Sequence, residues 1–312
     1  MKFDIISFGS STIDVFVKMS KGSYNIESND NMCYHLGDKL PVEDLVISTG
    51  GGATNTSVAF SRLGLKAGII TAVGNDINGK LVLDELKRES VEFLGVVKKG
   101  KTGYSVVLPG PTDRTILVYS GVNNKLNFSD LKLRGVETKW LYISTLRNRG
   151  FKAIEMVSLY AKNKKWKIAM NMSQYLAKKG LKKLSSLLSR ADVLIMNKSE
   201  AMTLAGCSES KNNLREAIRR ISICMHGIII ITDGPNPIYL YESASSRLHV
   251  KKVRKARVID ATGAGDAFAA GFIYALSKGI APVKALDYGC EEARATLKYV
   301  GAKEKLLRRI AV

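Results

Sequence analysis

The feature that most constrains this chain is the order of its apolar runs: short β-branched stretches alternate with helix-length amphipathic ones almost from end to end. "FDIISFG" (3–9) reads as a buried strand, and "ATNTSVAFSRLG" (53–64) as a helix stopped by Gly64. The spacing then predicts a strand over 67–74, a helix over 77–90, and two paired strands, "YSVVLPG" and "RTILVYSG", around the turn "PGPTDR". Strands over 140–144, 166–170, 192–197 and 226–232 alternate with helices over 151–163, 174–189, 198–205 and 211–222. "IYLYES" and "RLHV" read as a hairpin, and helices over 264–278 and 281–299 close the chain. Strands joined by helical crossovers predict an α/β fold of three layers, α/β/α, around a central and mostly parallel sheet. Such a sheet takes ligands beyond the carboxyl ends of its strands.

Two stretches break the alternation. Residues 15–48 and 101–120 read as short strands with turn residues, and together they predict a small β-sheet lid over the strand ends. No Pro/Gly/Ser-rich linker divides the 312 residues, so the expectation is one domain over 1–312 with a discontinuous lid.

Bulk composition excludes more than it selects. The formal charge is +20, from 48 Lys and Arg against 28 Asp and Glu. The cations lie at helical spacing, as in "YAKNKKWK" and "LAKKGLKKLSSLLSR", with no stacking aromatics between them, which argues against specific nucleic-acid binding. Such a field still favours an anionic ligand. The four cysteines are far apart and outside any Cys-x-x-Cys or Cys/His cluster, and the N-terminus lacks a signal-peptide pattern. A reduced, cytoplasmic protein is expected. No apolar run approaches the roughly 20 residues of a membrane span.

Three motifs compete for phosphate chemistry. "GVVKKGKT" (95–102) matches the P-loop pattern letter for letter, but "GYSVVLPG" after it excludes the helix that a P-loop needs, so the match reads as chance. In "RVIDATGAGDAFAAGF" the context agrees: an extended run, a turn at 262–266, then an apolar helix. Amides at that helix start would point outward, and Gly263 and Gly265 would let an anion approach without a Cβ in the way. Asp266 could be a helix-capping acid, but capping does not explain glycines that cost about 1 kcal/mol each. The third motif, "STGGGATNTSVAFSRLG", sets three glycines before a helix; it lacks a basic residue and suits either a polyhydroxylated ligand packing on backbone or a hinge.

Taken in order, "GGGATNTSVAFSRLG", "AVGNDINGK", "DVLIMNKSEAMTL", "IIITDGPNPIYLY" and "DATGAGDAFAAGF" resemble the ribokinase-like sugar kinases of the phosphofructokinase B type, over nearly the full length. The resemblance implies an ATP-dependent carbohydrate kinase that uses Mg²⁺ and, in many members, K⁺. Asp266 matches the catalytic base, and Gly263, Ala264 and Gly265 match the anion hole. Asn197 and Glu200 match the pair that organises Mg²⁺ and the triphosphate largely through water, although Asn197 is also a natural helix cap and Glu200 its capping-box partner. Thr232, Asp233 and Gly234 fall at the nucleotide contact, and Asp260 at the acid of a monovalent-cation site. Asp14, Gly51, Gly52 and Asn55 match substrate-hydroxyl positions. Arg114, on the lid hairpin, reads either as a contact to the distal end of the substrate or as an exposed strand arginine. A sugar is preferred over a nucleoside, and a sugar- or nucleotide-binding regulator that has lost turnover is the alternative of another class. Relatives cover the lid by dimerising, so a homodimer through the lid is also implied.

Overall fold

The computed structural model describes residues 1–20, 25–27, 31–110, 114–208 and 213–310. Parts of the polar stretch after residue 20, the tip of the "PGPTDR" turn, and residues 211–212 of an expected helix lie outside them. The chain opens with β1 (Lys2–Phe8), β2 (Thr12–Met19), β3 (Asn25–Glu27), β4 (Asn31–Cys33) and β5 (Val42–Gly50). There follow α1 (Gly52–Arg62), β6 (Ala67–Ile70), β7 (Ala72–Gly74), α2 (Ile77–Arg88), β8 (Glu92–Phe93), β9 (Val96–Lys98), β10 (Gly103–Pro109) and β11 (Arg114–Tyr119). Next come β12 (Glu137–Ile143), α3 (Arg149–Asn163), β13 (Lys167–Asn171), α4 (Gln174–Ala177), α5 (Gly180–Leu188), β14 (Val193–Asn197), α6 (Lys198–Ala205) and α7 (Asn213–Cys224). The last elements are β15 (Ile228–Thr232), β16 (Ile238–Glu242), β17 (Arg247–Lys251), α8 (Ala264–Ser277) and α9 (Pro282–Thr296).

Among the described residues, the central sheet runs in the order β17-β16-β15-β14-β13-β12-β1-β6-β8. It is parallel from β8 to β15, with β16 and β17 added as an antiparallel hairpin. Both faces are buried, which is why its strands are runs of Ile, Val and Leu without alternation. One face packs on α3 and α5–α7 through Ile154, Val157, Leu184, Met202 and Ile221. The other packs on α1, α2, α8 and α9 through Val58, Phe60, Val82, Phe272 and Leu286. The expected α/β/α layering is present.

A second sheet, in the order β11-β10-β2-β5, is the expected small sheet, although β2 begins at Thr12 and β5 reaches Gly50, wider than the 15–48 forecast. Register divides its faces. Asp14 pairs with Ser48 and Ser105, and Ser105 with Val118; Ile13 pairs with Tyr104, and Tyr104 with Tyr119. Asp14 and Val118 therefore share one face, while Ile13 and Tyr119 share the other.

Four expected elements are corrected. The run 67–74 is two strands, because the chain leaves the central sheet at buried Thr71 and β7 pairs with β9 instead. The run 174–189 breaks into α4 and α5, because Gly180 takes the left-handed φ of 75°. "RVIDA" forms no strand: Val258 and Ile259 are exposed, and the Ile259 amide bonds the Leu297 carbonyl at the end of α9 rather than a neighbouring strand. The last helix stops at Thr296 instead of 299. The P-loop look-alike leads into β10, as its sequence context required.

Asp76 ties the start of α2 to the approach to β10. One carboxylate oxygen accepts from the Gly79 amide at 2.9 Å and the Thr102 hydroxyl at 2.6 Å, and the other accepts from the Thr102 amide at 2.9 Å. Asp76→Ala is expected to lower the unfolding free energy by about 2–3 kcal/mol, read as a fall in the urea midpoint with an unchanged slope.

Candidate active site

The order of strands reverses at β1, with β6 and β8 to one side and β12–β15 to the other. This is the switch point where an open α/β sheet leaves a crevice beyond its strand ends. Gly9 and Ser144, just past β1 and β12, meet there so closely that a side chain at Gly9 would collide with the Ser144 hydroxyl.

Two helix N-termini converge on this crevice. α1 starts behind Gly51, whose φ of 90° turns the chain without any side-chain cap. Asn55, in its first turn, is buried. α8 starts behind Gly263, also left-handed at φ 75° and also uncapped by a side chain. The Ala264 amide bonds the Ala261 carbonyl, and the Ala267 amide bonds the Gly263 carbonyl. Among the described residues, the amides of Gly265 and Asp266 between them find no acceptor, as the first turn of a helix dictates. Gly265 is exposed, with nothing within 4 Å of where a methyl would project. The start of α8 thus presents free main-chain donors beside an exposed glycine.

Asp266 closes the gap between the two helices. Its Oδ2 accepts from Asn55 Nδ2 at 2.9 Å. Burial pushes its carboxyl up to about 6; the Asn55 bond opposes this, Asp14 adds to it, and Lys303 opposes it. Asp14 is 8% exposed on β2, accepts from the Thr12 hydroxyl at 2.8 Å, and packs so tightly on Gly50 that no other residue fits there. Asp14, Gly51, Gly52, Asn55, Gly263, Ala264, Gly265 and Asp266 therefore gather around one crevice.

Asn197 and Glu200 lie further along the same edge of the sheet, at the end of β14. They form a reciprocal capping box: Asn197 Oδ1 accepts from the Glu200 amide, and Glu200 Oε2 from the Asn197 amide, each at 2.8 Å. Burial raises the Glu200 carboxyl to about 7, with Asp266 adding to the rise, so the two acids sense each other. Thr232 ends β15 in register with Asn197, Asp233 follows it in an ion pair with Lys198 at 3.2 Å, and Gly234 turns at φ 55°. Asp260 is turned inward: Oδ1 accepts from the amide and hydroxyl of Thr262 at 2.9 and 2.7 Å, and Oδ2 from the Gly301 amide at 2.9 Å. Arg114 pairs in register with Pro109, which puts it on the Asp14 face of the small sheet but at the far end of β11.

Gly50, Ser144 and Lys303 were not among the expected site residues. Gly50 was within reach of sequence reasoning, as the first of the three glycines. Ser144 and Lys303 carry no local signal, since only the fold sets them beside residues distant in sequence. A separate cleft of about 760 Å³ lies between the start of α2 and β10–β11, lined by Asp76, Asn78, Lys101, Thr102, Tyr104 and Tyr119 among others. Tyr104 and Tyr119 are on the face away from Asp14, so the cleft is distinct from the crevice.

The profile of the pfkB family carbohydrate kinases matches residues 18–308, and the chain belongs to that family. A ribokinase of Dictyostelium discoideum is 23% identical over 302 residues, 91% of each chain. An adenosine kinase from Schistosoma mansoni, solved with 2-fluoroadenosine, superposes with a TM-score of 0.82 at 19% identity, covering 96% of both chains. Arabidopsis thaliana ribokinase, solved with ribose and ATP, gives 0.78 at 19%, covering 97% of this chain and 95% of that one. The protein is an ATP-dependent carbohydrate kinase of that family.

The raised Asp266 value has a consequence for stability. The folded chain keeps this proton up to about 6, whereas an exposed aspartate loses it near 3.8, so stability falls as pH rises through that window. Asp266→Asn, which has no proton to lose, is expected to unfold at higher temperature than the parent at pH 7.5, by about 1–2 kcal/mol, with the gap closing below pH 4. Calorimetry at the two pH values checks it.

Proposed function

We propose that the protein phosphorylates a hydroxyl of a small sugar or sugar derivative with ATP, Asp266 acting as the base and the 263–266 backbone as the anion hole. The observation that supports this reading is the pairing of two free amides with a carboxylate at one helix start. Asn55 occupies Asp266 Oδ2, which leaves Oδ1 for the acceptor alcohol. The alcohol proton passes to Oδ1 as its oxygen bonds the γ-phosphorus and the bond to the departing diphosphate breaks. The amides of Gly265 and Asp266 take the charge on the transferring group, and phosphoryl transfer asks little more of a protein than such alignment and neutralisation. Asp14, Gly51, Gly52 and Asn55 would hold the other hydroxyls, with Arg114 at the distal end of the substrate.

Asn197, Glu200, Thr232, Asp233 and Gly234 would line the triphosphate path. Among the described residues no three His, Cys, Asp or Glu cluster as a ready-made metal cage. That fits an ion held by one carboxylate, water and the phosphates themselves. Mg²⁺ would sit against Asn197 and Glu200 mainly through water and would neutralise triphosphate charge. A K⁺ at Asp260 would have to share a carboxylate already bonded by Thr262 and Gly301.

We read residues 1–312 as one domain and the small sheet as its lid. Its edge strands expose Ile47 on β5 and Leu117, Val118 and Tyr119 on β11, which supports a homodimer through this sheet. Free thiols at Cys207, Cys224 and Cys290 accord with a cytoplasmic setting, and no described helix is long and apolar enough to cross a membrane. The name of the family favours a sugar over a nucleoside.

An ATP-consumption screen over pentoses, hexoses, sugar acids, sugar phosphates and nucleosides tests the reading, with Asp266→Asn expected to be inactive; turnover surviving in that variant rules out the assigned base. For the best substrate, kcat/KM is expected to fall about tenfold between pH 7 and pH 5 as Asp266 protonates. Gly265→Ala is expected to add up to about 1 kcal/mol of stability by helix propensity while cutting kcat at least about tenfold, since the methyl fills the space of the transferring group.

A further inference from the structure

The glycine-rich turn before α1 has no basic residue of its own, yet one reaches it from the far end of the chain. Lys303 is 5% exposed. Its Nζ donates to the Thr49 carbonyl, lies 3.4 Å from Asn55 Oδ1, and is 3.6 Å from Glu85 Oε2. The segment that carries it is pinned on both sides: the Gly301 amide donates to Asp260, and the Leu307 amide donates to Glu292 at 3.2 Å. Arg62, held by Glu89 through two bonds, donates to the Lys303 carbonyl at 2.6 Å. A buried ammonium is strongly unfavourable unless acceptors surround it. Here they come from β5, α1 and α2.

Asn55 can offer Asp266 either end of its amide, and only one end helps. An ammonium has donors and no acceptor, so it selects Oδ1 of the amide and leaves Nδ2 facing the carboxylate. If the amide turned over, a carbonyl oxygen would face Asp266 and an amino group would face the ammonium. Both contacts would repel.

We infer that Lys303 is a positioning residue of the transfer site: it holds the Asn55 amide in the orientation that donates to Asp266, and so decides which Asp266 oxygen remains for the acceptor alcohol. This rests on the role proposed for Asp266 above. The titratable groups within electrostatic reach of Asp266 are Asp14 on β2, Tyr142 on β12, Glu200 on α6 and Lys303 itself. Lys303 is the one cation among these, so its loss leaves Asp266 facing acids and a phenol. Around Lys303 lie Asp14, Glu85 and Arg62.

The test compares Lys303→Met, Asn55→Ala and the combined variant, each against wild type at pH 6 and pH 8.5. Lys303→Met is expected to lose about fivefold more kcat/KM at pH 6 than at pH 8.5, because Asp266 protonates at higher pH once the cation is gone. The combined variant should be no more than about twofold worse than Asn55→Ala, since both cut one link. Losses that multiply, or a loss equal at both pH values, would overturn the inference and leave Lys303 a packing residue. Carboxyl-carbon NMR of Asp266 in the ligand-free protein gives a readout without turnover: its titration moves to higher pH in Lys303→Met, and an unmoved titration refutes the link. Should wild type phosphorylate nothing in the screen, the proposed function fails while the NMR titration still decides this point. Lys303→Gln, neutral yet able to serve the Thr49 carbonyl, is measured in parallel and carries the same expectations if the methionine variant does not fold.

Discussion

The 2.9 Å bond from Asn55 to Asp266 is the contact on which the site depends, because it joins the starts of two helices that lie 211 residues apart in sequence. Each helix begins with a left-handed glycine in place of a side-chain cap, so each leaves amides free at its mouth. Uncapped helix starts are locally unfavourable. Here the backbone accepts that cost twice on the same crevice, and the apolar bodies of α1 and α8, packed in one core cluster, hold the two mouths together. A site made of backbone donors has no side-chain rotamers to order. Its precision comes from the core behind it.

The layering was legible because it follows from pattern alone: strands buried on both faces are uniformly apolar, and helices of that length can only cross over them. Where reading failed, tertiary structure had overridden local preference. Ala67–Gly74 is apolar throughout, yet burying Thr71 moves the chain from one sheet to another, and no periodicity marks such a transfer. Gln174–Ser189 kept a helical pattern across Lys178 and Lys179, and only the left-handed Gly180 betrays the break. Val258 and Ile259 look like a strand, but they are exposed and the Ile259 amide bonds the Leu297 carbonyl after α9.

The site divides in the same way. The uncapped helix start at Gly263, Gly265 and Asp266 was legible because the anomaly is local: glycines where a helix would rather have alanine. Asn197 and Glu200 could not be resolved from spacing, and the structure explains why. They do form the capping box that the plainer reading required, and the same geometry brings Glu200 within electrostatic reach of Asp266. Oε2 of Glu200 is spent on the cap, and the Gln174 backbone also bonds the carboxylate. A structural role and a chemical one are compatible in a single carboxylate. Lys303 was illegible on any local argument, being one of 48 cations in a chain where charge of that sign is ordinary. What distinguishes it is burial, which belongs to the fold.

This bears on the +20 charge itself. The crevice is rich in acids: Asp14, Glu85 and Asp266 lie within reach of one buried ammonium, and Glu200 within reach of Asp266. Screening confines exposed charges to about 8–10 Å, so the surplus cations on the outer helices act on the approach of an anion and fade before the chemistry begins. Inside, burial carries Asp266 to about 6 and Glu200 to about 7, and repulsion between the acids adds a smaller part. A carboxylate held near its neutralisation point is a better proton acceptor than one at its ordinary value. Under the proposed function the field outside and the acid cluster inside would serve separate steps, the first collecting a polyanion and the second keeping a base that can use it.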